Sequence, residues 1–122
     1  MTNADLRGAR LAGAKFAGAD MRGVKLDGQN LRGMDLRGID FTMADMPEAD
    51  LTGADLRGAV LAGVDLYGAN LNSADLRGAS FEGANLNNAI LTDAKLESAN
   101  FDAAIMPNGQ RNERQSNKET NP

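Results

Sequence analysis

The chain has 122 residues, 42% of them hydrophobic, and a formal net charge of −4, which suits one small domain and supplies no basic surplus for direct nucleic-acid binding. It contains no histidine and no cysteine, so disulfides, thiolate nucleophiles, zinc-thiolate clusters and the commonest general base are all excluded. No apolar stretch approaches membrane-spanning length, and no membrane association is expected.

Ala4 and Leu6 open a pattern that runs to Met106, in which every fifth residue is Leu, Phe or Met. Because it begins at once, no secretory leader is expected ahead of it, and a cytoplasmic location follows as the default. A step of five advances about 140° around a helix and alternates between the faces of a strand, so neither element buries every centre. A bend of about a right angle per repeat aims all centres at one axis and winds the chain into a four-sided solenoid. Four repeats then close a coil of about twenty residues, and residues that far apart stack at ~4.8 Å, giving about five coils and a rod roughly 24 Å tall.

Two residues before each centre stands a small residue, Ala in sixteen of twenty-one cases; two residues after it stands Gly in thirteen. Gly at a fixed offset marks a corner that needs positive φ, as at the third position of a type II turn. In the second coil Val24, Gln29, Met34 and Ile39 replace Ala at four consecutive inward positions, so this layer must widen or repack. Gln29 is expected to find a backbone partner there, as structural accommodation and not as part of a ligand cavity. Met43 and Glu48 interrupt the Gly series around Pro47, and residues 42–48 are expected to be the least regular internal segment. Pro47 itself fits a turn's second position.

One column of the solenoid should hold Met21, Phe41, Leu61, Phe81 and Phe101, and another Asp35, Asp55 and Asp75 beside Arg37, Arg57 and Arg77. In the last coil the corner residues become Asn88, Asp93, Ser98, Ala103 and Asn108, which predicts a different turn geometry, since Ala hardly visits positive φ. Residues 107–122 lose every periodic feature and are rich in Asn, Gln, Arg, Lys and Glu, which predicts a disordered polar tail after a repeat domain spanning 1–106.

The recurring unit A-D-L-R-G, at Ala54 to Gly58 and Ala74 to Gly78, with A-N-L at Ala69 to Leu71 and Ala84 to Leu86, resembles the pentapeptide-repeat family and its consensus A-(D/N)-L-x-x. The resemblance covers about residues 2–106. It implies an all-β fold, a right-handed quadrilateral parallel β-helix with the centre and the small residue inward and the other three outward. It also implies a structural or protein-interaction scaffold whose specific role is unknown. The best understood relatives protect or inhibit DNA gyrase and are similar in width and negative charge to duplex DNA, which makes a DNA-mimicking gyrase or topoisomerase regulator the alternative reading.

No catalytic, cofactor or metal residue is assigned. The Asp residues just before the centres would face solvent in this fold and read as a solubility and stacking device, with Arg37, Arg57 and Arg77 neutralising the Asp35, Asp55 and Asp75 column. Residues 1–106 hold fifteen acidic and ten basic side chains, a net of −5, against about fourteen charges on ~24 Å of duplex DNA. Local acidity survives where Asp45 and Asp65 stack with Asn85, and where Glu82 stacks with Asp102. Tyr67 is the one aromatic expected at the surface, on the same side as Asp65 and Pro47, and Asp45, Asp65 and Tyr67 form the candidate surface for a partner protein. Ile90 and Ile105 take outward positions in the last coil and are the candidate end cap or homodimer interface.

Overall fold

The computed structural model describes residues 1–112, which wind into a right-handed four-sided β-helix of five coils. The coils are residues 4–23, 24–43, 44–63, 64–83 and 84–103, and each contributes one five-residue side to each of four faces. Parallel bridges join residues twenty apart, from Asp5 with Lys25 down to Asn85 with Ile105. The twenty-residue register makes the shaft four-sided.

One repeat shows how the winding works. The Leu56 N–H donates to the Asp75 carbonyl at 2.8 Å and the Gly58 N–H to the Arg77 carbonyl at 3.0 Å, tying the repeat to the coil below. The Asp55 N–H donates upward to the Met34 carbonyl at 3.0 Å, and the Ala59 N–H closes the corner onto the Leu56 carbonyl at 3.0 Å. Gly58 makes that corner at φ +68°, which costs a glycine no Cβ clash. The centre side chains fill the shaft: Leu26, Leu56, Leu76 and Phe81 are fully buried, with Ala54, Ala74 and Ala84 closing the gaps between them. Phe81 stacks on Phe101 with ring centroids 5.1 Å apart, in the aromatic column that the register predicts.

Two expectations about the corners are overturned. Asn88, Asp93, Ser98 and Ala103 adopt φ values of 59° to 64°, the same left-handed geometry as the glycines, so the last coil turns no differently from the others. Met43 and Glu48 do the same at φ 60°, and residues 42–48 keep every rung, with the Met43 N–H on the Ala62 carbonyl at 2.9 Å and the Glu48 N–H on the Tyr67 carbonyl at 2.7 Å. The ladder imposes the corner on whatever residue occupies it. The local cost of about 1–2 kcal/mol for an L-residue is offset by rungs and buried centres on both sides. Asn108 is replaced in this role by Gly109, at φ +84°.

Irregularity falls instead on residues 8–16 of the first coil. Asp5 pairs with Lys25 and Asp20 with Asp40, but Arg10 and Lys15 form no bridge with Asn30 and Asp35. The cause lies one coil down. Gln29 and Met34 stand where Ala stands in most coils, and Gln29 turns its carboxamide into the rung: Nε2 donates to the Leu6 and Ala9 carbonyls at 2.9 and 3.0 Å, and Oε1 accepts the Asn30 N–H at 2.9 Å. The coil above is propped away, which leaves Ala14 exposed at an inward position and Phe16 half-buried. Val24 and Ile39, the other two replacements, are absorbed at full burial. Gln29 thus has the backbone partners expected of it, but the layer accommodates it by opening, so that, contrary to expectation, Gln29 also lines a cleft.

At the other end, the boundary drawn at residue 106 moves. Residues 107–109 turn the chain back so that Arg111 bridges Ile105 in antiparallel fashion, with the Met106 N–H on the Gln110 carbonyl and the Gly109 N–H on the Met106 carbonyl, at 2.8 and 2.7 Å. A three-residue loop ending on a left-handed Gly is a standard hairpin solution. Residues 107–112 are therefore ordered, in contrast to the expected disordered tail; the rest of that expectation, for 113–122, lies outside the described residues.

Candidate functional site

The surface is built from what the residue before each centre does with its side chain. Asp55 Oδ1 accepts the Arg57 N–H at 3.2 Å, and the same bond to the residue two further on recurs from Asp35, Asp65, Asn70, Asn85 and Asn100. That N–H lies outside the ladder, and a short Asx side chain reaches it without moving the backbone. Composition gave the Asp series only a solubility and stacking role; the missed signal was the recurrence of Asp or Asn at thirteen of the twenty-one positions just before a centre. At Asp45 and Ile105 the residue two further on is Pro47 or Pro107, which has no N–H to offer.

On the third face the Asp carboxylates are spoken for. Arg37, Arg57 and Arg77 each fork the Asp two residues before them, with Nε on Oδ1 at 2.8 or 2.9 Å and Nη2 on Oδ2 at 2.6 or 2.7 Å. The forks also lean on the next rung, Arg37 Nε lying 3.9 Å from Asp55 Oδ2 and Arg57 Nε 3.7 Å from Asp75 Oδ2. The two bonds from Arg77 hold the Asp75 carboxyl down at about 2, and Arg37 does the same for Asp35, again at about 2. Arg22 forks Asp20 in the same way on the fourth face, also at about 2.

The first face differs below its first rung, where Arg7 forks Asp5 as on the third face. Asp45 and Asp65 occupy adjacent rungs as a bridged pair, both half-buried, and among the described residues neither has a Lys or Arg nitrogen within 4.0 Å. Lys25 occupies the rung above Asp45 without closing on it. Asp65 Oδ1 accepts the Tyr67 N–H at 3.0 Å, while Asp45, facing Pro47, has no such donor. Tyr67 is 40% exposed, and its Oη accepts a bond from Asn88 Nδ2 at 3.0 Å, which fixes the ring over the face. Glu48 adds a further carboxylate at the corner beside Gly68. The structure thus brings Asp45, Asp65 and Tyr67 together on one side.

Ile90 and Ile105 are not brought together. Ile90 is 45% exposed on the second face of the last coil, whose centres Leu91 and Leu96 are half-buried and 39% exposed. Ile105 belongs to the first face, where it is half-buried between the Asn85 rung and the returning Arg111. Arg111 Nη1 and Asn112 Nδ2 donate to the Ala103 and Phe101 carbonyls at 2.7 and 2.9 Å, covering that part of the lower rim. Among the described residues, no group of His, Cys, Asp or Glu is placed to hold a metal ion, and no helix is long and apolar enough to cross a membrane.

The family model for pentapeptide repeats matches the chain in eight copies, over residues 1–28, 35–72 and 69–106. Among solved structures, a pentapeptide repeat protein (Rfr23) from the cyanobacterium Cyanothece 51142 is 32% identical, with a TM-score of 0.75 and 84% of each chain covered. HetL, a pentapeptide repeat protein involved in heterocyst differentiation regulation from the cyanobacterium Nostoc sp. strain PCC 7120, is 32% identical over 92% of this chain and 57% of its own, at a TM-score of 0.45. QnrB1, a plasmid-mediated fluoroquinolone resistance protein, is 21% identical over 86% of this chain and 59% of its own, at a TM-score of 0.35, a likeness that carries no functional argument. No curated protein sequence matches the chain.

Proposed function

We propose that this chain, which belongs to the pentapeptide-repeat family, is a non-enzymatic scaffold whose first face docks a cationic segment of a partner protein. One observation carries the reading: Asp45 and Asp65 have no arginine fork, whereas Asp35, Asp55 and Asp75 on the third face each have one. Two unneutralised carboxylates on neighbouring rungs repel each other, and a partner's guanidinium would relieve that while Tyr67 and Pro47 offer it a flat surface. Charge here would steer the encounter and set the register. The test is a pull-down comparing wild type with Asp45→Asn/Asp65→Asn/Tyr67→Ala, after circular dichroism has shown both to be folded. A species lost from the variant supports the docking face; an unchanged catch discards it.

The same acidic rungs would serve a DNA-mimicking regulator of gyrase. Charge density opposes that reading, because residues 1–106 carry a net of only −5 and the forks tie up Asp35, Asp55 and Asp75 on the third face. A gyrase supercoiling assay with the protein in large molar excess decides it: inhibition or protection favours mimicry, and no effect removes it.

A further inference from the structure

Between the first two coils the propped ladder leaves a cleft of about 860 Å³, walled by residues 9–15 above and Gln29, Asn30 and 32–34 below. A second opening of about 340 Å³ adjoins it at Ala14, Lys15, Ala17 and Asp35. Along these walls the N–H groups of Leu11, Gly13 and Phe16 and the carbonyls of Asn30, Arg32 and Asp35 make no main-chain hydrogen bond, although the corresponding N–H groups of the second to fourth coils and the corresponding carbonyls of the third to fifth coils do. Unpaired, alternating main-chain donors and acceptors are the edge onto which an extended peptide adds as a strand.

Gln29 already shows what fits between these coils. Its carboxamide is an inserted amide group, donating upward to Ala9 and accepting from Asn30 below, as a peptide unit of an intervening strand would. The rungs beyond it hold no such group. The rim is cationic: Arg10 and Lys15 have no carboxylate within 4.0 Å among the described residues, and Arg32 reaches Asp50 through one nitrogen at 3.2 Å. Asp35, the acid closest to the opening, is already held by the Arg37 fork.

We infer that this cleft binds an extended acidic peptide segment of a partner protein, whose main chain continues the insertion that Gln29 begins and whose carboxylates meet Arg10, Lys15 and Arg32. The site occupies the second and third faces, apart from the acidic first face, so either proposal can fail without the other.

The experiment titrates an end-blocked Val-Glu-Val-Glu-Val peptide into the full-length protein and follows amide resonances by NMR. Binding should move the Leu11, Gly13, Phe16 and Asp35 amides, and should weaken about tenfold or more with the lysine counterpart of the peptide and with Arg10→Ala/Lys15→Ala. Gln29→Ala/Met34→Ala restores Ala at both inward positions, closes the ladder and should abolish binding. Any one of three results overturns the inference: no shift at millimolar peptide, equal binding of the lysine peptide, or Leu11, Gly13 and Phe16 amides that exchange as slowly in the wild type as those of Leu31 and Leu36. Should the Gln29 and Met34 variant fail to fold, the Arg10 and Lys15 variant and the exchange rates decide alone.

Discussion

Gln29 Nε2 lies 3.0 Å from the Ala9 carbonyl oxygen, holding the acceptor that the Asn30 N–H would use if the first two coils were closed. The displaced Asn30 N–H is returned to Gln29 Oε1 at 2.9 Å, so one side chain lengthens one rung without leaving either end unpaired.

Gln29→Leu keeps the bulk and removes the relay. It should destabilise by about 1–3 kcal/mol, the cost of orphaned main-chain groups, whereas Gln29→Ala should be neutral or stabilising because the rung can close. Urea denaturation of the two variants gives the comparison; equal loss in both would show that the relay contributes nothing.

The corners predict opposite signs at two sites of the same geometry. Ala103 sits at φ 61° and Gly58 at φ 68°, the latter with open space where a Cβ would go. Ala103→Gly should stabilise by about 1 kcal/mol and Gly58→Ala should cost about 1–2 kcal/mol, through backbone strain alone. Thermal melts that move in the same direction for both would contradict this.

Acid should loosen the forks in a defined window. Asp20, Asp35 and Asp75 have folded carboxyl values of about 2, below the ordinary 3.8, so the forks' contribution is complete above about pH 4 and drains away as pH falls toward 2. The effect on global stability is small because these pairs are largely solvent-exposed. Carboxylate NMR titration of Asp75 should give a midpoint near 2 in wild type and one closer to 3.8 in Arg77→Met. An unchanged midpoint would remove Arg77 as the cause.

Core truncation should depend on height in the shaft. Phe81 is fully buried while its stacked neighbour Phe101 is half-buried near the open end. Phe81→Ala should cost about 3–5 kcal/mol and Phe101→Ala clearly less, by denaturant titration. Equal costs would mean that a second copy or residues beyond 112 cover the end.

The homodimer contact expected of Ile90 and Ile105 is proposed to fall at that end on Ile90 with Leu96, which are 45% and 39% exposed beside an unpaired lower rim, because Arg111 lies over Ile105. Light scattering should report a dimer that Ile90→Asp/Leu96→Asp converts to a monomer; a wild-type monomer at every concentration would refute the contact.

The winding was legible because it depends on period alone: centres from Leu6 to Met106 specify the register regardless of what stands outside. The corners were misjudged at Ala103 and Met43 because single-residue preference was weighed without the rungs above and below, which together outweigh it. The first face was legible as a juxtaposition of Asp45, Asp65 and Tyr67, since columns follow from the register. Its distinction from the third face was not, because that rests on which carboxylates meet an Arg or an N–H. The signal lay two residues downstream, at Pro47 and Tyr67 where the third face has Arg. Gln29 and Met34 were visible as misfits, but sequence could not say whether the coil above or the coil below would yield. The upper one did, having no further coil to hold it down.

The reversal at Gly109 has a meaning for growth. A parallel coil is a template, each turn offering the next a matching row of donors and acceptors, and nothing in the repeat itself says when to stop. By sending the chain back against its own direction, the hairpin sets the first-face part of the last row out of step with any further turn.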